Sequence, residues 1–201
     1  SPELDQRELE HVTASLDPLK PLNDFSIHPP KSFFTREGLP AELSDRVQVS
    51  DDGHIYAYLA KFGQPHAGFT GTYVTVPVEQ RHEAFHIKSV KLEDGSKIDR
   101  GVLTMRTAHA DKNATASETV MHYDSTGYAI ADVVILDVGD GYVMTGSVRT
   151  TASPEDIRAL EGSNISGDWR KDMQVRHLRL RAILAVNVPG FPPVNYYANA
   201  A

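Results

Sequence analysis

The stretch HIYAYLA, residues 54–60, indicates the kind of fold that this chain adopts. Its isoleucine and tyrosines favour extended backbone, and the turn sequence DDG at residues 51–53 directly precedes it. We therefore predict that residues 54–60 form the first strand of a β-rich core.

Further segments downstream have the same strand-forming character. Turn sequences such as EDG at 93–95 and GDG at 139–141 separate several of them. Together with residues 54–60 they predict about seven strands, a number typical of a β-barrel or sandwich. The segments are 71–78, 86–92, 101–106, 128–136, 142–148 and 178–188.

The N-terminal part of the chain differs from this β-rich region. Residues 3–16 carry a rough helical stripe of leucine and valine, and prolines recur from residue 18 to residue 40 and prevent long regular structure. We interpret residues 1–40 as a helix followed by an ordered proline-rich wrap. Residues 41–195 are predicted to form a single barrel domain.

Composition excludes several classes of function. The 201 residues include no cysteine, so disulfides, thiolate metal sites and a cysteine nucleophile are ruled out. Twenty lysines and arginines against 27 acidic residues give a net charge of -7, which disfavours nucleic-acid binding. Apolar runs stay well short of the roughly 20 residues that a membrane-spanning helix needs. Nine histidines make proton-transfer chemistry worth testing.

One candidate nucleophile lies in SNISGDWR, residues 163–170. The segment follows a helix predicted from the capping sequence at Ser153 to Gly162. Ser166 precedes a glycine, and a serine in a tight bend can expose its hydroxyl while backbone N–H groups face a developing oxyanion. The same spacing is also typical of an ordinary turn, and Ser163 is a second serine in the segment.

Two histidines at predicted strand ends are candidates for the base that would activate such a serine. His109 follows the strand that ends near residue 106, and His122 precedes the strand that begins near residue 128. Asp124 lies close enough along the chain to orient an imidazole. All three side chains also fit ordinary surface or turn positions.

A competing pattern is HEAFH at residues 82–86, which matches the H-E-x-x-H sequence of zinc peptidases. That chemistry needs a helix to bring His82 and His86 onto one face, with Glu83 as base. The flanking segments are predicted to be strands, so only a short helix fits between them. We therefore keep zinc catalysis as a lesser alternative and predict no metal or other cofactor.

Several blocks resemble the capsid maturation proteases, or prohead proteases, of phages that infect actinobacteria. The resemblance extends from about residue 33 to residue 192. Its most specific blocks are SNISGDWR and the final LAVNVPGFP. The blocks are DGHIY at 52–56, LA at 59–60, HYD at 122–124, SNISGDWR at 163–170 and LAVNVPGFP at 184–192.

This resemblance implies the herpesvirus assemblin fold, an antiparallel β-barrel flanked by helices. The overall expectation is an α+β fold with about seven barrel strands. The resemblance also implies a self-associating serine endopeptidase, hence a homo-oligomer, packaged inside the assembling phage head in the host cytoplasm. Its expected substrates are the scaffold, the major capsid protein and the protease itself, without a nucleic-acid or membrane partner.

The resemblance further implies roles for individual residues. Ser166 matches the nucleophile and His122 matches the general base, with Asp124 or His109 as the third member. In the expected mechanism, the backbone N–H groups of Gly167 and Asp168 stabilise the oxyanion. Ser163 is the fallback nucleophile.

A non-enzymatic role is the main alternative. The chain begins with Ser1-Pro2 and ends with Asn199-Ala200-Ala201, a small-residue end that resembles a cleavage product, although a trimmed sequence accounts for these ends equally well. A processed domain with such ends would also fit a minor structural protein of the capsid.

Overall fold

A strongly curved β-sheet forms the centre of the protein. The computed structural model describes residues 22–44, 46–67, 74–77, 82–171, 177–187 and residue 190. The helix expected at residues 3–16 lies outside these described residues. Two short 3-10 turns, Lys31–Phe34 and Arg36–Gly38, precede the first strand.

Among the described residues, seven strands pair in the order β1-β2-β6-β5-β4-β8-β7, and β3 pairs with the first part of β4. β7 also approaches β2, near the other end of this order, so the sheet curls into a half-barrel. The bounds are β1 Gln48–Val49, β2 His54–Lys61, β3 Lys88–Lys91, β4 Lys97–Met105, β5 Tyr128–Asp137, β6 Gly141–Val148, β7 Asn164–Lys171 and β8 Leu178–Val186.

The sheet is mixed, which corrects the expectation of an antiparallel barrel. β4 and β8 run parallel, with Leu103 opposite Ile183 and Thr104 opposite Leu184, whereas the other pairs are antiparallel. Hydrophobic alternation along a strand reports which side is buried and carries no information on the direction of its neighbour. The fold is therefore α+β with a curled, barrel-like sheet.

The core includes side chains from the described part of the proline-rich segment. β6 is buried along its whole length, since it lies between β2 and β5 and is covered on its outer side. Phe33 and Phe34 of the first 3-10 turn supply part of this cover, since the Thr145 hydroxyl of β6 donates to the carbonyl oxygen of Phe33. Both phenylalanine side chains belong to a buried cluster with Leu92 and Val134. Complete burial of a side chain such as Phe34 stabilises a fold by about 1.5–3 kcal/mol.

In the described part of the chain, two helices flank the sheet. Helix α2, Pro154–Glu161, has the predicted cap, in which the Ser153 hydroxyl accepts from the backbone N–H of Asp156. Helix α1, Ala116–Thr126, was not predicted and begins with a capping box formed by Thr115 and Glu118. Within the described ranges, neither helix is long and apolar enough to cross a membrane.

Two segments differ from the sequence expectation. Residues 164–171, expected to bend tightly around Ser166, form the regular strand β7. The strand expected at 71–78 is represented, in its described part, by a single bridge between Thr75 and Pro65.

Candidate active site

Ser166 and Asp168 project from the same face of β7. They pair with Leu184 and Ala182 of β8, and side chains two residues apart on a strand lie on one side, roughly 7 Å apart. Both side chains are buried, at 3% and 4% exposure. Gly167 faces the other way, where a β-carbon would lie 2.5 Å from the indole nitrogen of Trp169.

His109 spans the distance between these two side chains. Its Nε2 atom lies 3.2 Å from Ser166 Oγ, and its Nδ1 atom lies 3.7 Å from Asp168 Oδ2. The residue belongs to the loop between β4 and α1, and its side chain is 43% exposed, so a substrate can reach it. A hydroxyl, an imidazole and a carboxylate in this order are the parts of a Ser-His-Asp triad.

Asp168 is held as a carboxylate by an array of donors. Arg170 donates from Nε to one carboxylate oxygen and from Nη2 to the other, and the Tyr123 hydroxyl donates to the latter. Burial raises the pKa of Asp168, but hydrogen bonds from His109, Arg170 and Tyr123 outweigh burial and lower that pKa to about 2. Burial and this hydrogen bond raise the pKa of Tyr123, so its hydroxyl remains a donor.

The side chains of Tyr123 and Arg170 also fix the loop that carries His109. The backbone N–H of Ala110 donates to the Tyr123 hydroxyl over 3.0 Å. Arg170 donates to the carbonyl oxygens of Ala110, over 2.9 Å, and Asp111, over 2.7 Å. The position of the imidazole is therefore coupled to the position of the carboxylate.

Gly190 is a second hydrogen-bond partner of the Ser166 hydroxyl, besides His109. Its backbone N–H donates to Ser166 Oγ over 3.2 Å. Since Oγ accepts there, its own proton can point to Nε2 of His109, which leaves the Nδ1 proton for Asp168. A β-carbon at Gly190 would lie 2.4 Å from Nε2 of His66, whose pKa is lowered by burial and by the proximity of His109.

His122, the residue expected to contact Ser166, lies elsewhere. Helix α1 directs its Nε2 atom to the carbonyl oxygen of Ala108, 2.9 Å away, and to the Thr107 hydroxyl, 3.5 Å away. The hydrogen bonds of Ser166 instead join it to His109 and Gly190, and Asp124 is exposed beside a different cavity. The structure thus brings together Ser166 and His109 but not His122 and Asp124.

The expected oxyanion donors, the backbone N–H groups of Gly167 and Asp168, belong to β7, which lies at the edge of the sheet and pairs with β8. The backbone N–H that donates to Ser166 Oγ is that of Gly190. The fallback nucleophile, Ser163, lies just after α2, where its hydroxyl donates to the carbonyl oxygen of Ala159 over 2.8 Å.

The HEAFH segment is a turn rather than a helix. The rings of His82 and His86 lie 6.1 Å apart, and the His82 ring packs edge-on against Tyr142 at 4.7 Å. Nε2 of His86 accepts a hydrogen bond from the backbone of Ile135, and Glu83 is exposed. Burial lowers the pKa of His82 to about 4. Among the described residues, no group of three histidine, aspartate or glutamate side chains is placed to hold a metal ion.

The position of Asp168 beside His109 was not predicted, although the sequence contains a pattern that indicates it. Ser166, Asp168 and Arg170 recur at every second position, as they must to share one face of a strand. The glycine and asparagine in the segment instead favoured a turn.

No protein-family model matches the chain, and neither a curated protein nor a solved structure matches it. Its chemistry is therefore inferred from the geometry around Ser166.

Proposed function

We propose that the protein is a serine hydrolase in which Ser166 is the nucleophile, His109 the general base and Asp168 the group that orients the base. The observation that carries this proposal is the position of the His109 ring, whose two nitrogens face Ser166 Oγ and Asp168 Oδ2. A buried serine beside a basic nitrogen with a carboxylate behind it has the parts that nucleophilic catalysis requires.

The proposed reaction follows from these positions. His109 takes the proton of the Ser166 hydroxyl as Oγ attacks the substrate carbonyl carbon, and the Gly190 N–H, which donates to Oγ, is the proposed donor for the developing oxyanion. The imidazolium is stabilised by Asp168 and then protonates the leaving amine. Water releases the acyl group from Ser166 by the reverse proton path.

Within this class, we propose an endopeptidase of phage head maturation. The two specific blocks of the resemblance, 163–170 and 184–192, contain Ser166 and Gly190, which meet in the structure. The curled sheet with flanking helices is compatible with a barrel-like protease. The proposed substrates are the scaffold and the major capsid protein, cut by a homo-oligomer inside the assembling head in the host cytoplasm.

Co-expression with the neighbouring scaffold and capsid genes tests this function. Intact-mass analysis should show discrete cuts with the unaltered chain and with Ser163→Ala, and none with Ser166→Ala or His109→Ala. Cuts that persist in Ser166→Ala contradict the proposed nucleophile. An absence of cuts with every chain contradicts the protease role and favours a structural protein of the capsid.

A further inference from the structure

A cavity lies on the other side of Tyr123 from the candidate active site. It has a volume of about 360 Å³ and lies between the β3–β4 hairpin, strands β5 and β8, and helix α1. Its apolar part is formed by residues such as Val102, Ala129 and Ala182. The Tyr123 hydroxyl binds Asp168 while its side chain also lines this cavity, so one side chain separates the two sites.

Positive charge is concentrated at this cavity although the whole chain has a net charge of -7. Arg100 and Arg149 both contact a single carboxylate oxygen of Asp132, over 3.1 and 2.8 Å. Lys88 and Arg181 add two more cationic side chains to the lining, whose acidic side chain is Asp124. Four cations therefore outnumber the carboxylates of Asp124 and Asp132.

The two arginines are only partly exposed, and the single negative charge of Asp132 does not neutralise both of them. The Arg100 side chain is 12% exposed and that of Arg149 is 32% exposed. Burial and the nearby Arg149 lower the pKa of Arg100, and Asp132 opposes that effect. A carboxylate that entered the cavity would therefore gain attraction from more than one cation.

The rim beside these cations is apolar. Ile87 and Val120 line the cavity at 61% and 39% exposure, and the adjacent Met121 is 67% exposed. These are three of the five large hydrophobic side chains that are exposed among the described residues. Exposed apolar surface beside charged groups is typical of sites that bind another polypeptide.

We propose that this cavity binds a polypeptide segment in which an acidic side chain lies next to apolar ones. The carboxylate would lie between Lys88 and the arginines, and the apolar side chains would pack on Ile87 and Val120. An inorganic anion would satisfy the cations but leave that apolar rim uncovered. This binding does not depend on a catalytic role for Ser166.

The test uses a capped peptide, acetyl-Leu-Glu-Leu-Glu-Leu-amide, and its twin with glutamine in place of glutamate. Binding to the ¹⁵N-labelled chain is followed by NMR, with inorganic phosphate titrated separately. We expect the glutamate peptide to shift amide signals at residues 87–88, 120–129 and 181–182, and the glutamine twin to bind about tenfold more weakly.

Charge reversal on one strand provides the matched control. Lys88 and Lys91 are both exposed on β3, but only Lys88 lines the cavity. Lys88→Glu should weaken binding of the glutamate peptide by about tenfold, while Lys91→Glu should change it less than about twofold. Equal losses in both variants, equal binding of the two peptides, or shifts caused by phosphate alone would overturn the proposal.

Discussion

Replacing each of the two candidate histidines by alanine tests which one is the general base. The structure indicates His109, whereas the sequence predicted His122. His109 contacts Ser166 Oγ directly, whereas His122 contacts the carbonyl oxygen of Ala108 in the same loop. If His109 is the base, His109→Ala removes proton transfer itself. His122→Ala removes only a support for the loop.

The structure predicts different losses of reaction rate for the two variants. A general base contributes roughly 10²–10⁴-fold to such a reaction, so His109→Ala should slow it by at least about 10²-fold. His122 makes a 2.9 Å hydrogen bond to the backbone and a 3.5 Å contact with the Thr107 hydroxyl. Such a bond contributes about 1 kcal/mol, so the expected loss is about fivefold in rate.

The rate of covalent labelling by a fluorophosphonate measures this step without a known substrate, because the reagent reacts with activated serine hydroxyls. Circular dichroism and thermal unfolding serve as folding controls for both variants. Slower labelling in His122→Ala than in His109→Ala, with both variants folded, would refute the assignment of the base.

Further predictions concern the carboxylate and the glycine at the site. Asp168→Asn should slow labelling by roughly 10⁴-fold, since an orienting carboxylate is lost, and should lower the free energy of unfolding by roughly 3 kcal/mol, since Arg170 loses its buried partner. Because the pKa of Asp168 falls from 3.8 to about 2 in the folded state, its stabilising effect is present above about pH 4 and lost as the pH falls through about 2. Acid unfolding monitored by circular dichroism should therefore show a shallower loss of stability in Asp168→Asn over that range, and an unchanged acid profile would contradict this origin. Gly190→Ala should slow labelling by about tenfold through its contact with His66, and the double variant with His66→Ala should recover most of the rate; a double variant as slow as the single one would place the effect elsewhere.

Several elements of the fold could be predicted because their patterns are local. Residues 128–136 and 142–148 carry strand-forming side chains between turn residues, and both form strands. Ser153 and Pro154 begin a helix because capping depends only on neighbouring residues. Helix α1 was not predicted because its apolar residues form no buried stripe. Thr115 and Glu118 nevertheless have the spacing of a capping box, which could have indicated where the helix begins.

The site was harder to predict because it depends on contacts far apart in sequence. Ser166 contacts His109, which lies 57 positions earlier in the sequence, and Gly190, which lies 24 positions later. These contacts follow from where β4, β7 and β8 lie in the sheet. No pattern within either strand indicates that β4 and β8 pair in parallel. His122 and Asp124 were favoured as near neighbours along the chain, but an α-helix turns them away from each other.

The site of covalent modification by a fluorophosphonate tests the central claim most directly. Peptide mapping of the labelled chain should find one adduct, on Ser166, that disappears in Ser166→Ala and remains in Ser163→Ala. An adduct on another residue, or labelling that persists in folded Ser166→Ala, would contradict a serine hydrolase built on Ser166, His109 and Asp168.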